Sequence, residues 1–267
     1  MLTLGLFTDV HYAAGVREGT RHCHLGVAKL RVALGAFAAA RVDAVVGLGD
    51  LVDSADTLAE EAGYLQSVCA QLSGVRVPVR LTPGNHCLWT LTRDVYQQIT
   101  RPVTGQAATW GSLDLKGWHL IFLDGCFRGD GVPYGGRNND WTDALVSDEQ
   151  VRWLRADLTA GRTPSLVFIH QRLDVTPPFG VANAEAVRAI LEGSGRARAV
   201  FQGHEHGGAE TVIKGIRYIT LPAIVEGDDV QQAAFAIAMA SPSGEVSLRP
   251  YPTPSAAIAA PDSREPR

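Results

Sequence analysis

The sequence predicts an α+β fold in which two packed, mixed sheets are flanked by helices. Helical periodicity alternates with strand-like apolar runs over the first 85 residues, and strand-like runs dominate after Leu115. Apolar residues make up 46% of the 267-residue chain, which is sufficient for a sizeable core. We expect one domain over residues 1–252, followed by a disordered tail over 253–267 that is rich in Pro, Ala, Ser and charged residues.

Two helical segments in the N-terminal third each lie between strand-like runs. Residues 25–41 carry three leucines and Phe37 on one face, with alanine filling much of the remainder, and residues 56–73 repeat this pattern. The resulting order of strand, helix, strand, helix and strand predicts βαβ units with short crossovers.

Helix signals recur twice in the remaining chain. Ser147 and Gln150 have the spacing of a capping box ahead of an apolar stripe, and Asn183 is expected to cap a helix over Ala184–Leu191. The dipeptides Lys214-Gly215 and Ser243-Gly244 predict hairpin turns between the last strands. The expected strands in this part are 118–124, 165–170, 197–202, 210–214, 216–221, 233–240 and 245–249.

Two stretches show neither the helical nor the strand pattern of apolar residues. Residues 125–146 are rich in Gly, Asp and Asn, and residues 171–182 contain Pro177-Pro178. Loops of this length inside a compact domain are often functional. Both are therefore candidate functional loops.

Bulk composition narrows the class of function. The net charge is −4 and Lys and Arg form no run, so nucleic acid is not an expected partner. No apolar stretch approaches the roughly 20 residues of a membrane span, and the Leu2–Phe7 run is too short for a signal-peptide core. We therefore expect no membrane partner and a cytoplasmic protein. The four cysteines lack CxxC spacing and are expected to be free thiols.

The candidate functional region is formed by five apolar runs that each end in Asp, Asn or His. Together they place nine such side chains at the ends of strands. Nitrogen and oxygen ligands gathered in this way are what two divalent or trivalent metal ions require. The sequence therefore predicts a dinuclear metal hydrolase. The five runs are 4–11, 45–53, 79–86, 166–170 and 200–206.

The second run supplies two carboxylates. Gly49 permits a tight turn after the strand, and Asp50 is expected to bridge two cations with its two oxygens. Asp53 is placed to orient a general acid or to support a ligand from outside the coordination sphere. The alternative is that both carboxylates stabilise a helix N-terminus, which suits Asp53 better than Asp50.

The third run ends in Asn85 and His86. The Asn85 carbonyl oxygen is able to bind a hard ion, and His86 has the pKa range to protonate a leaving oxygen near neutral pH. The alternative is an ordinary Pro-Gly turn with Asn85 in a left-handed conformation.

The other runs supply histidines and one further carboxylate. Asp9 and His11 can turn toward one ion, although a turn cap at Asp9 and a surface histidine at His11 explain the pair better when it is taken alone. His170 ends an apolar strand, where it needs a partner, and a lone histidine in such a place is more often a hydrogen-bonded core residue than a ligand. His204 and His206 flank a glutamate that is expected to point away from the site.

Taken in order, these blocks resemble the calcineurin-like metallophosphoesterase superfamily over residues 7–206. The resemblance implies a double β-sandwich flanked by helices in four αββα layers, with a dinuclear metal site at the strand ends. It implies a metal-bridging hydroxide as nucleophile, and His86 as a phosphate contact and acid that is oriented by Asp53. One ion would bind Asp9, His11, Asp50 and His206. The other would bind Asp50, Asn85, His170 and His204.

Local departures narrow the subfamily. Protein Ser/Thr phosphatases of this superfamily usually have an Arg at the position of Ser54 and an acidic residue at the position of Cys87. The resemblance to that subfamily is therefore weaker. Arg21 before a helix and the segment Leu221–Glu226 are similar to the branch of manganese-dependent ADP-ribose/CDP-alcohol diphosphatases and their bacterial relatives. That branch often has Gln at the position of His11.

The sequence thus predicts a phosphodiesterase or diphosphatase of small, nucleotide-like phosphorylated substrates, with two Mn, Fe or Zn ions. A phosphomonoesterase or a nuclease with the same metals is the alternative, and the acidic net charge disfavours the nuclease. A non-catalytic binding module is disfavoured because it has no need of the whole ligand set. Arg137 and Arg172 are candidate clamps for phosphate, and Trp89, Tyr134 and Trp141 are candidates for stacking on a base.

Overall fold

In a computed structural model, the chain is described over residues 1–14 and 21–251. The expected tail over 253–267 lies outside these residues. The helices in the described part are α1 (Gly26–Ala40), α2 (Leu58–Leu72), α3 (Arg93–Thr104), α4 (Asp148–Ala160) and α5 (Ala184–Ser194). The strands are β1 (Leu2–Phe7), β2 (Ala44–Gly47), β3 (Val79–Leu81), β4 (Gly111–Leu115), β5 (Trp118–Phe122), β6 (Ser165–Phe168), β7 (Ala197–Gln202), β8 (Ala209–Ile213), β9 (Ile216–Thr220), β10 (Phe235–Ala240) and β11 (Val246–Tyr251).

The strands form two mixed sheets. The first has the order β11-β10-β1-β2-β3, in which β1, β2 and β3 are parallel and β10 runs antiparallel to β1. The second has the order β4-β5-β6-β7-β9-β8, in which β5, β6, β7 and β9 are parallel. The predicted βαβ units of the first 85 residues are confirmed, because α1 and α2 connect the three parallel strands.

Three apolar layers hold the domain together. One fills the space between the sheets, where Leu4 and Leu6 of β1 belong to the same cluster as Phe168 and Phe201 of the second sheet. The next lies between the first sheet and helices α1, α2 and α3. The last lies between the second sheet and helices α4 and α5. The predicted four-layer αββα arrangement is thereby confirmed.

The segment Cys23–Ala40 is long and apolar enough, by length and composition alone, to cross a membrane. Core helices of folded domains pass the same test. Here one face of α1 is buried, with Phe37 in edge-to-face contact with Phe235 at 5.4 Å between ring centroids. Burial of this face against the first sheet accounts for the apolar composition of the segment.

Some local predictions differ from the structure. Helix α3 and the hairpin strand β4 were not expected from the sequence. Ser147 accepts a hydrogen bond from the Gln150 backbone, but the Gln150 side chain binds the backbone of Asp124 instead of completing the box. Asn183 precedes α5 without capping it, because its side chain pairs with the backbone of Val146. The four cysteines are free and buried, as predicted.

Candidate metal centre

The parallel strands of both sheets deliver the predicted residues to one region. Asp9 and His11 follow β1, Asp50 follows β2, and His204 follows β7. All four have positive φ angles, of 53°, 42°, 45° and 72° respectively. Left-handed backbone is uncommon for residues other than glycine and concentrates at functional sites. The chain therefore turns sharply at the end of each strand, which aims these side chains at a common point.

Three imidazole and carboxylate groups form what we call the first ligand group: Asp9, His11 and His206. His11 Nε2 lies 3.6 Å from Asp9 Oδ1 and 3.2 Å from His206 Nε2. His206 Nε2 in turn lies 3.7 Å from Asp9 Oδ1. Two imidazole nitrogens and a carboxylate oxygen facing one another at these distances match the ligands that a divalent cation takes.

Asp50, His170 and His204 form the second ligand group. His170 Nε2 lies 3.2 Å from Asp50 Oδ2. The Nε2 atoms of His170 and His204 are buried without a hydrogen-bond partner, as are Asn85 Oδ1 and Asp9 Oδ1. Leaving a buried polar atom unpaired costs about 1–3 kcal/mol. Four such atoms in one region fit metal ions as the missing partners.

Asp50 connects the two groups. Its Oδ1 accepts a hydrogen bond of 2.8 Å from the backbone N–H of His86. Its Oδ2 lies 3.6 Å from His11 Nε2 and 3.2 Å from His170 Nε2. Oδ2 therefore faces both groups, and a bridge between two ions through both oxygens stays a prediction.

Two glycines allow this packing. A Cβ atom on Gly84 would lie 2.2 Å from Asp50 Oδ1, and one on Gly203 would lie 2.1 Å from the Thr8 hydroxyl and 2.7 Å from Asp9 Oδ2. Any side chain at these positions would displace a candidate ligand. The glycines beside Asn85 and His204 are thus required by close approach of the chain to the carboxylates.

Further contacts fix the orientation of the ligands. His170 Nδ1 donates to the Leu48 carbonyl at 2.7 Å, and His206 Nδ1 donates to Glu226 Oε1 at 2.6 Å. Asp9 Oδ2 accepts from the His204 backbone N–H at 3.1 Å. With Nδ1 engaged, each histidine presents Nε2 to its group, as in carboxylate–histidine–metal arrangements. The contact of Glu226 with His206 was not predicted.

His86 and Asp53 form a pair beside the first ligand group. Asp53 Oδ1 lies 2.8 Å from His86 Nδ1, and the rings of His86 and His11 are 4.6 Å apart. Burial raises the pKa of Asp53, but the neighbouring imidazoles of His11 and His86 outweigh it and hold that pKa well below its usual range. Asp53 also accepts from the Cys23 thiol at 3.2 Å. An ionised carboxylate here suits the predicted role of orienting His86.

The electrostatics of the ligand groups favour bound cations. Burial raises the pKa of Asp50, but His170 and His86 lower it well below its usual range. Burial lowers the pKa of His11, yet the nearby carboxylates of Asp53, at 3.9 Å, and Asp9, at 3.6 Å, raise it to about 10. Burial and the neighbouring His170 lower the pKa of His204 to about 3. The ionised carboxylates stabilise positive charge in the buried site, which the imidazolium of His11 supplies here and which bound metal ions would supply in its place.

The predicted phosphate clamps are engaged in other contacts. Arg172 is buried and pairs with Asp174, at 3.0 and 2.6 Å, and with Glu205. Its charge is thus matched by two carboxylates, and its role as a phosphate clamp stays a prediction. Glu205 points toward Arg172 and away from the ligand groups, as expected. Arg137 has an exposed side chain that donates to the Asp56 carbonyl.

An aromatic pair lies beside the second ligand group. The ring of Trp141 is 5.6 Å from that of His204 and 5.8 Å from that of Phe179, and the Phe179 ring is 5.7 Å from His204. Trp141 is 38% exposed, whereas Tyr134 is buried and donates to the Asp140 carbonyl. Of the predicted stacking candidates, Trp141 is therefore both exposed and in contact with a candidate ligand. Phe179 was not predicted as part of the site.

The fold and the ligand groups define a class of protein, a metal-dependent hydrolase of phosphoric esters. Residues 2–208 match the family of calcineurin-like phosphoesterases, and the chain belongs to this family. Members of the family bind a dinuclear metal site, for which the two ligand groups are the candidates.

Individual relatives agree with this assignment. A glycerophosphodiester phosphodiesterase, GpdQ of Enterobacter lignolyticus (strain SCF1), is 29% identical over 201 residues, which are 69% of this chain and 63% of that protein. The chain therefore spans less than two thirds of that relative's length. A dimetal phosphatase from Danio rerio has a similar fold, with a TM-score of 0.77 and 22% identity over 89% of this chain and 92% of that one. Purple acid phosphatase PPD1 from yellow lupin (Lupinus luteus) shares the fold at a TM-score of 0.57 and 14% identity, over 89% and 49% of the two chains.

Proposed function

We propose that this protein hydrolyses small phosphodiesters or diphosphates of nucleotide-like compounds, with two Mn, Fe or Zn ions. The observation that carries the proposal is a single oxygen, Asp50 Oδ2, shared by two ligand groups with the His86–Asp53 pair beside them. The relative GpdQ supports a diester, since its name describes a glycerophosphodiester phosphodiesterase.

The described side chains fit two ions by number and by chemistry. Each group combines imidazole nitrogens with at least one carboxylate, and five of the seven candidate ligands carry a buried atom without a partner. Bound ions supply the Lewis acidity and the activated water that phosphoester hydrolysis needs. We assign one ion to Asp9, His11, Asp50 and His206. We assign the other to Asp50, Asn85, His170 and His204.

His86 is proposed to protonate the leaving oxygen. Its Nδ1 contacts Asp53, which assigns the transferred proton to Nε2. Asp53 fixes the orientation of the ring through this contact, so that Nε2 is the atom presented to the leaving oxygen. The side chain of His86 is 25% exposed, which permits a substrate to reach it.

The aromatic pair of Trp141 and Phe179 is proposed to contact the organic group of the substrate. His86 lies beside His11 of the first ligand group, whereas Trp141 lies beside His204 of the second. If the leaving group departs toward His86, the substituent that stays on phosphorus is the one near Trp141. An exposed indole next to a polar site suits a planar group such as a nucleobase.

A substrate screen with the metal-reconstituted protein tests the proposal. We expect kcat/KM for glycerophosphodiesters, cyclic nucleotides or nucleoside diphosphate esters to exceed that for matched phosphomonoesters by more than about tenfold, or roughly 1.4 kcal/mol in transition-state binding. A higher value for monoesters would replace the proposal with a phosphomonoesterase. Preference for polynucleotides over these small compounds would replace it with a nuclease.

A further inference from the structure

A buried lysine is the starting observation. Lys29 of α1 is fully buried, and its Nζ donates to three consecutive carbonyl oxygens: Val225 at 3.0 Å, Glu226 at 2.6 Å and Gly227 at 2.5 Å. An ammonium has three N–H donors, so all of them are used. A buried charge persists only where such partners compensate for lost water. The contact therefore ties helix α1 to the segment 225–227.

That segment belongs to the strip 223–227, which supports the first ligand group. The Glu226 carboxylate accepts from His206 Nδ1 at 2.6 Å. Three successive N–H groups of the strip donate to carbonyls next to or within the ligand-bearing turns. These bonds are Ala223 to His206 at 3.0 Å, Ile224 to Thr8 at 3.1 Å and Val225 to Asp9 at 3.1 Å.

The second ligand group is supported differently. His170 is held by the carbonyl of Leu48, which precedes Gly49 and Asp50 on β2's own turn. His204 packs against the rings of Trp141 and Phe179. The three hydrogen bonds of Lys29 run to the carbonyls of residues 225–227, whose neighbours in the chain contact the first ligand group. The contacts of the strip 223–227 described above therefore support the first ligand group, whereas those that hold His170 and His204 come from other parts of the chain.

We propose that Lys29 is a positioning residue for the ion of the first ligand group. Its ammonium holds the turn of residues 225–227 and thereby sets the position of the Glu226 carboxylate, which orients His206. Removal of the ammonium leaves three carbonyls that no longer share a cation, and the turn is then free to relax. This inference rests on the two-metal site of the proposed function.

Metal titration of the apoprotein tests it, because the readout is binding rather than turnover. The chelator-treated protein is titrated with Mn²⁺ by calorimetry. The variant His206→Ala identifies which of the two binding steps belongs to the first ligand group, because it removes a candidate ligand of that ion only. Lys29→Met should lower the Mn²⁺ affinity of that same step by about 10- to 100-fold, which is the usual effect of losing a contact that supports a metal ligand. The affinity of the other step should stay within about twofold of the wild-type value. The matched control is Arg31→Met on the exposed face of α1, where Arg31 contacts Gln71, and it should change neither step.

A double-mutant cycle tests the route through Glu226. Glu226→Gln should weaken the His206 step, and adding Lys29→Met should cost much less than the sum of the two single losses, because the residues act in one chain of contacts. Additive losses, an equal loss of both steps, or no loss would overturn the inference. If Lys29→Met does not fold, Lys29→Gln, which keeps two N–H donors, takes its place. Unchanged Mn²⁺ affinity of the step assigned by His206→Ala in the single variant Glu226→Gln would also overturn the proposed role of Glu226. If wild-type protein binds two ions but hydrolyses no phosphoester, the proposed function fails while this inference stands.

Discussion

The two ligand groups are built alike but are surrounded by different chemistry. Around the first, the neighbours are ionic: Glu226 contacts His206, and Asp53 and His86 lie beside His11. Around the second, the neighbours are a backbone carbonyl and the rings of Trp141 and Phe179. One side of the site is therefore equipped to hold and move protons, and the other to contact an apolar group.

The two sides of the site suit two different requirements of phosphodiester hydrolysis. A leaving oxygen needs a proton, which a histidine–carboxylate pair supplies. The group that stays on phosphorus needs a surface, which an exposed aromatic ring supplies. Substitutions on the two sides should accordingly affect different parts of the substrate.

The largest effect is expected where the two sides meet. Asp50→Ala should lose both ions and at least about 10³-fold in kcat/KM, because one oxygen faces both groups and metal catalysis supplies several kcal/mol. Metal content of the purified variant, measured by elemental analysis, checks this. Asp43→Ala is the control, since Asp43 lies at the opposite end of β2 and pairs with Lys116. Retention of one ion by Asp50→Ala would show that the groups are independent.

The variant His86→Asn tests the side of the site where His86 and Asp53 lie beside the first ligand group. The loss in kcat/KM should be about 10²–10⁴-fold for a diester with an alkyl leaving group and much smaller for a p-nitrophenyl diester, whose leaving oxygen barely needs a proton. Metal content should remain that of the wild type. Equal losses on both esters would instead assign His86 to binding the phosphate.

Asp53→Asn should have a smaller effect on the same side. The amide keeps the shape but weakens the contact that orients His86, so we expect about a tenfold or somewhat larger loss in kcat/KM on the alkyl diester, with both ions retained. Asp56→Asn, three residues further on and exposed, is the matched control. Loss of metal in Asp53→Asn alone would identify Asp53 as a ligand, in line with its place in a cluster with His11 and His86.

Much of the site was predictable because its signals are local. Each ligand follows a short apolar strand, and parallel strands deliver their ends to one region. The supports of the ligands were not predictable in this way. Glu226 meets His206 across 20 residues, and Arg172 meets Glu205 across 33. No local pattern shows that these charges are paired, so the sequence alone does not reveal that Arg172 has two carboxylate partners.

The missed elements of the fold have similar causes. The buried positions of α3 are Tyr96, Thr100 and Thr104, so its inner face lacks the leucine stripe that marked α1. Pro102 inside the helix further weakens the signal. Strand β4 was missed although Lys116-Gly117 repeats the Lys-Gly turn between β8 and β9, with both residues of the turn at positive φ.

The smallest expected effect belongs to the apolar side and depends on the group that stays on phosphorus. Two substrates with the same p-nitrophenyl leaving group isolate it: the methyl phosphodiester and the diester of thymidine 5′-phosphate. Trp141→Ala should lower kcat/KM for the thymidine ester by about 2- to 12-fold, equivalent to the roughly 0.5–1.5 kcal/mol of an aromatic contact, and leave the methyl ester unchanged. Trp110→Ala removes a tryptophan that packs against Trp153 instead and serves as control. An equal loss on both esters would mean that Trp141 supports His204 rather than the substrate, and the two sides of the site would then differ in their neighbours but not in their tasks.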